Sequence, residues 1–340
     1  MELDDQYCIE NGTDVAYFLP FRAIFMLYFI LSIISMFTLA NAVRSHLMPA
    51  PIHSNLRVIL IGFFCVEILH TIAFTIDQII QLILLITATS PCDIFVPVVP
   101  YTILHLTFGF CLLGTLILHA FLCLERVAAT IFIKSYENSY LKCHTATLLI
   151  LAGISIPILL LVYSHHDANF ENSHVLCSLS TPDGAASKVN VLFALGITIN
   201  VICLIILYII KAINKSREQN PNFHLSSRYQ VTENIATTQF VSSVSLLHII
   251  FSIVYSSSML LLKSFMPSDI QYKSSKFITM LFYLNPLFIF ILAPLTVWHL
   301  KRWKDKRQSR MRSLVKIKAK GQEASDTYAS MLSQQWNSKL

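Results

Sequence analysis

Seven apolar blocks, each long enough to cross a bilayer, constrain this chain more than any other feature. They run approximately over residues 20–43, 58–86, 98–124, 143–163, 189–211, 236–262 and 277–299. A helix needs about 20 predominantly apolar residues to span a hydrocarbon core roughly 30 Å thick. Membrane β-strands are about half as long and alternate in polarity, and a run such as LLILAGISIPILLLVY does not alternate. Composition agrees, because 55% of the residues are hydrophobic and only 13% charged, against about 25% charged in a soluble domain. Too little charge is present to build a polar shell, which excludes a soluble enzyme, a nucleic-acid-binding domain and a disordered chain. The predicted fold is an all-α membrane protein, a seven-transmembrane-helix bundle.

The basic residues orient it. With the N-terminus outside, 20 of the 25 Lys and Arg residues fall on the inner side, while Arg22, Lys188, Lys263, Lys273 and Lys276 fall outside. That asymmetry is the positive-inside pattern and puts the C-terminus in the cytoplasm. Residues 1–19 then form an extracellular N-terminus, 20–299 the bundle, 300–320 a basic juxtamembrane segment and 321–340 a disordered cytoplasmic tail. Glu2, Asp4 and Asp5 follow Met1 where a cleavable signal would be positive, so the first helix is expected to act as its own insertion signal. Asn11-Gly12-Thr13 is a glycosylation sequon on the predicted outer side, whereas Asn214-Lys215-Ser216 lies in a predicted inner loop, out of reach of the enzyme.

Of the 8 cysteines, Cys8, Cys92 and Cys177 lie outside the helices. In an oxidising exterior two of them can pair, and Cys92 with Cys177 is the favoured disulfide, with Cys8 as the alternative partner. No CxxC pair or His/Cys cluster suggests a metal, and no cofactor is expected. No GxSxG, HExxH or phosphate-binding loop supports catalysis. A receptor, a transporter and a channel remain. No internal repeat or filter element points to the transporter or channel, which stand as the alternative.

The helix ends sharpen the receptor reading. Glu125-Arg126 closes the third block, and the pair resembles the acidic-Arg pair of rhodopsin-like receptors, although Val127 stands where an aromatic is usual. The resemblance implies an Arg held at rest and released to meet a heterotrimeric G protein. Asn285-Pro286 in the seventh block predicts a kink, because a Pro frees a backbone carbonyl inside the helix. Before the sixth block stands Leu225-Ser226-Ser227-Arg228-Tyr229-Gln230-Val231-Thr232-Glu233-Asn234-Ile235. This LSxRYQxxENI pattern, with Glu125-Arg126 and His53-Ser54-Asn55-Leu56, resembles the nematode serpentine chemoreceptors of the Sra superfamily, the alpha/beta class most closely. The likeness covers roughly residues 15–310. It implies a G-protein-coupled chemosensory receptor in the plasma membrane of sensory neurons, with Arg228, Tyr229, Glu233 and Asn234 in the coupling region. Glu233 is placed to face Arg126 as an opposite charge joining two helices.

Ionisable residues inside the membrane are costly and mark candidate sites. Glu67, His70, Asp77 and Gln81 share one face of the second helix by their spacing. Glu67 and His70 lie near the midplane as a buried polar pair, and Asp77 and Gln81 lie in the outer half as candidate ligand contacts. Tyr101 and His105 of the third helix, His248 and Ser252 of the stripe Ser245, His248, Ser252 and Ser256, and Tyr283 join the candidate pocket for a small chemical cue. Interhelical structural hydrogen bonds are the competing role for these polar residues. After the seventh block, residues 301–320 mix basic residues with Trp303, Met311, Leu314, Val315 and Ile317, an amphipathic segment suited to the anionic inner-leaflet lipids.

Overall fold

A computed structural model describes residues 8–50, 52–133, 142–170, 176–182, 184–219, 225–265, 272–318, 325, 326 and 330. The long helices are α1 (Leu19–Ala42), α2 (Ser54–Thr87), α3 (Val98–Ile131), α4 (Lys142–His165), α5 (Ala186–Gln219), α6 (Leu225–Phe265), α7 (Tyr272–Leu281) and α8 (Asn285–Lys318). Seven spans among the described residues are long and apolar enough to cross a membrane. Their surfaces carry exposed large apolar side chains such as Phe37, Ile86, Leu159 and Leu195. That arrangement suits a lipid solvent, in which the outer face of a bundle needs no polar coat.

Local chemistry sets the helix ends. Pro20 stands in the first turn of α1, where its missing N–H costs nothing. His53 accepts a hydrogen bond from the backbone N–H of Asn55 at 3.3 Å, which starts α2 and gives the His53-Ser54-Asn55-Leu56 loop a capping role. Ahead of α3, the Asp93 carboxylate accepts from the N–H groups of Thr89 and Ser90 at 3.1 and 2.8 Å, fixing the turn Pro91–Ile94. Gly196 of α5 sits where an added Cβ would lie 2.7 Å from Leu116 of α3. A larger residue there would force the Leu116 side chain to shift.

α3 is the central helix and packs against α2, α4, α5 and α6. The predicted kink at Asn285-Pro286 is instead a full break. α7 stops at Leu281, residues 282–284 are non-helical, and α8 restarts with Asn285 and Pro286 in its first turn. A proline in a first turn needs no donor, so the chain re-initiates a helix where an interior proline would have bent one.

The disulfide differs from the favoured pairing. Cys8 joins Cys92, with Cα atoms 5.0 Å apart, and Cys177 is a free thiol. The short turn Ile9–Thr13 packs against Pro91–Ile94 and brings Cys8 to the start of α3. Cys177 turns instead toward α2, where its Sγ lies 3.2 Å from an Asp77 carboxylate oxygen.

Residues Val297–Leu340 form a second unit. Within it, helix continues to Lys318, and the Arg302 guanidinium lies 5.1 Å from the Trp298 ring centre. Most of the 301–320 segment's apolar side chains, and the rest of the tail apart from residues 325, 326 and 330, lie outside the described residues.

Candidate functional site

At the end of the bundle remote from the disulfide, Arg126 is 1% exposed. A cation so buried is tolerable only when paired and hydrogen-bonded. Glu125 supplies both carboxylate oxygens, at 2.5 Å to Nε and 2.6 Å to Nη2. Successive residues point away from each other on a helix, so the long Arg side chain has to fold back to make this fork. The same guanidinium donates from Nη1 to Thr237 Oγ1 at 2.5 Å and approaches Asn234 Oδ1 at 3.5 Å, both on α6. Arg126 thus reaches the sixth helix through Asn234 and Thr237. Asn234 completes the junction by donating to the Ala129 carbonyl of α3 at 3.0 Å.

α5 closes the other side. Asn214 donates to Thr130 Oγ1 at 2.9 Å and Arg217 to the Thr130 carbonyl at 2.6 Å. Asn214 is fully buried, so the sequon it begins is a helix-packing element. The Arg228 and Tyr229 side chains lie outside the described residues. Thr237 and Thr130 were not singled out by the sequence reading, and Asn214 and Arg217 were read only as part of a sequon and of the inner basic set. Their signal as a junction was a polar residue at the end of an apolar span.

In the bundle's middle, Glu67 and His70 each take partners elsewhere in the chain rather than each other. Glu67 accepts from Thr115 of α3 at 2.6 Å. His70 Nε2 accepts from the Tyr283 hydroxyl at 2.6 Å and the Asn285 amide at 3.1 Å. Tyr283 lies in the α7–α8 break and Asn285 opens α8, so α2 grips the chain where it passes between two helices. Nearby, the rings of His119 and His248 stack 4.6 Å apart, joining α3 to α6.

Toward the disulfide end, three predicted residues hold one loop. Asp77 accepts from the Ser178 N–H at 3.2 Å, Tyr101 donates to the Ser180 carbonyl at 2.8 Å, and His105 Nδ1 donates to the Ser178 carbonyl at 2.9 Å. Beneath that loop lies a cavity of about 580 Å³ bounded by α3, α4, α5, α6 and Tyr283. A second, smaller pocket of about 40 Å³, lined by His248, Ser252 and Asn285, shares several of its wall residues. Among the predicted ligand contacts, His105 and Tyr283 line the larger cavity, and His248 and Ser252 line the smaller pocket. Asp77 and Tyr101 anchor the loop. Gln81 lines a separate recess of about 220 Å³ beside Arg22 and Phe25. Ser256 of the predicted stripe also lines the chamber, and Asn190, His165 and Tyr255 are wall residues that sequence did not single out as pocket lining.

A membrane bundle of seven spans, with a cavity beneath the Ser178 loop at one end and an Arg-centred helix junction at the other, has the architecture of a serpentine receptor. The chain belongs to the family described as serpentine type 7TM GPCR receptor class ab chemoreceptor, whose profile matches residues 8–337. Serpentine receptor class beta-16 of Caenorhabditis elegans is 31% identical over 333 residues, covering 97% of this chain and 96% of that protein. Class beta-17 of the same organism is 24% identical over 99% of this chain and 92% of its own length. Class beta-1 is 27% identical over 97% of this chain and 98% of its own length.

Proposed function

We propose that this protein is a G-protein-coupled chemosensory receptor of the plasma membrane, in which a small chemical cue binds the cavity below the Ser178 loop and a heterotrimeric G protein binds the Arg126 end. The observation that carries the reading is the buried Glu125–Arg126 fork tied to α6 through Thr237 and Asn234. Such a junction has two discrete arrangements, made and broken, and a ligand that favours the broken one shifts the population. The cavity touches the same α3 and α6 that the junction joins, so a bound molecule acts on both helices at once. Family membership supports a chemical cue and expression in sensory neurons. The basic segment 301–320 is suited to rest on anionic inner-leaflet lipids.

Glu125→Gln removes the carboxylate from the fork and leaves an amide that cannot balance the cation. Basal nucleotide exchange on a co-expressed heterotrimeric G protein is expected to rise severalfold. An unchanged basal rate at equal surface expression would count against the junction as a switch.

The reading also orients the chain with its N-terminus outside, which the distribution of Lys and Arg supports. Glycosidase treatment is expected to shift the mobility of the wild-type protein and of an Asn214→Gln variant. Asn11→Gln is expected to abolish the shift, and a shift lost only with Asn214 would reverse the topology.

A further inference from the structure

Two histidines in the cavity wall face each other from different helices. His105 lies in α3 and His165 ends α4, and their Nε2 atoms are 3.1 Å apart. Both residues, with Ser164, line the cavity beneath the Ser178 loop. The opposite edge of each ring fixes where its proton sits. His105 Nδ1 lies 2.9 Å from the Ser178 carbonyl, and a carbonyl only accepts, so this nitrogen carries N–H. His165 Nδ1 lies 3.1 Å from the Leu161 carbonyl and 2.9 Å from Ser164 Oγ. Ser164 itself donates to the Leu161 carbonyl at 3.1 Å, which leaves its oxygen lone pairs to accept. An N–H at His165 Nδ1 therefore suits both of its contacts, whereas a bare Nδ1 would set a lone pair against the Leu161 oxygen.

With N–H at both Nδ1 positions, each neutral ring has a bare Nε2. Two lone pairs then meet at 3.1 Å, which repels unless they share a positive centre. A proton is one such centre, but an ordinary imidazole carries few extra protons at neutral pH. A transition-metal cation is the other, and the surroundings suit it. Metal-bound histidines as a rule donate the second ring N–H to a carbonyl or carboxylate, which fixes the ring and makes it more basic. The Ser178 and Leu161 carbonyls stand in that place here. With metal–nitrogen bonds of about 2.0–2.1 Å, nitrogens 3.1 Å apart subtend roughly 100° at the cation, between the square-planar and tetrahedral angles. Phe170 packs against both rings, with centres 6.2 and 6.1 Å away, and limits their rotation.

We propose that His105 and His165 form a two-histidine site for a divalent late first-row transition metal, copper(II) foremost, which joins α3 to α4 at the cavity wall. Copper leads because it binds nitrogen sites most tightly in the divalent series and takes neighbouring imidazoles in a tetragonal plane. Water in the cavity serves for the positions that the two imidazoles leave. Among the described residues no group of three His, Cys, Asp or Glu side chains is placed to hold a metal, so the site is a two-ligand one on the protein side. The sequence gave no metal signal because the two histidines stand 60 positions apart.

The test uses the full-length protein in zwitterionic nanodiscs at neutral pH, titrated with copper(II) alone. Excess glycine is present to strip copper from isolated surface histidines. Pulsed electron paramagnetic resonance counts the imidazoles on the bound ion, and two are expected in the wild type. His105→Asn and His165→Asn remove Nε2 but keep a donor near the Nδ1 position, so the carbonyl contacts can persist. Each is expected to weaken copper at least about 100-fold, the upper end of what losing only a ligand's hydrogen-bond partner costs. His166→Asn, at a neighbour whose side chain is 79% exposed, is expected to bind as the wild type does. If both of the first two variants misfold by circular dichroism, copper-directed oxidation of the wild type with ascorbate replaces them. Peptide mass spectrometry is then expected to find oxidised histidine at positions 105 and 165. Fewer than two imidazoles on copper in the wild type, unchanged binding in either of the first two variants, an equal loss in His166→Asn, or oxidation confined to other histidines overturns the site. No G protein enters this measurement, so its failure leaves the proposed coupling role of Arg126 standing, and failed coupling leaves the metal result standing.

Discussion

Arg126→Met is expected to abolish agonist-dependent nucleotide exchange on the G protein and to destabilise the bundle by about 3–5 kcal/mol. The stability loss follows from burial: both partners of the ion pair have side chains only 2% and 3% exposed, and removing the cation strands the Glu125 carboxylate. Two effects are then combined in one variant, and a second substitution separates them. In Glu125→Gln/Arg126→Met the stranded charge is gone, so most of the stability is expected to return, as it does when buried pairs are replaced whole. Coupling is not expected to return, because the guanidinium proposed to meet the G protein is still missing. Thermal unfolding of the two variants in nanodiscs, read beside nucleotide exchange, checks both parts. Exchange that survives in the double variant would remove Arg126 from the coupling role and leave it a packing residue.

The second large effect concerns the disulfide. Cys92→Ser opens a covalent loop of 84 residues, and loss of a bridge closing so long a segment is expected to cost about 2–5 kcal/mol. Cys177→Ser is expected to leave the unfolding midpoint nearly unchanged, since the serine hydroxyl can still donate to Asp77 from the same place. Burial, reinforced by the Asp77 carboxylate, pushes the Cys177 thiol well above its ordinary value, so it is also expected to react slowly with alkylating reagents at neutral pH. Peptide mapping without reduction should recover Cys8 linked to Cys92. Recovery of Cys92 linked to Cys177, or equal destabilisation by the two serine variants, would reverse the assignment.

Much of the helical framework was legible in the chain because bilayer spanning is a local property. Each of the seven blocks satisfies its own backbone and meets lipid with its own side chains, so length and hydropathy were enough to find it. Glu67, His70, Asp77, Arg126 and His248 were legible as exceptional for the same reason, as polar groups in apolar runs. Their partners were not. Whether Arg126 meets Glu233 or Thr237 depends on the rotation of α6 against α3, and the residues compared are only four positions apart. Asp77 looked like a pocket residue, yet the Ser178 loop folds onto it and takes up its oxygens. Asn285-Pro286 announced an interruption, but the distinction between a kink and a break was decided by His70, which holds Tyr283 and Asn285 from another helix.

The sequence by itself determined that the chain crosses a membrane seven times, and its motif before α6 pointed to the receptor family. Only the tertiary structure decided that Cys8 takes Cys92, that Arg126 is shared between Glu125 and α6, and that a cavity lies under the Ser178 loop. The physical reason is range. Hydropathy acts through each segment's own contact with lipid, whereas a disulfide, an ion-pair junction and a cavity wall exist only where residues distant in the chain are brought within a few ångströms.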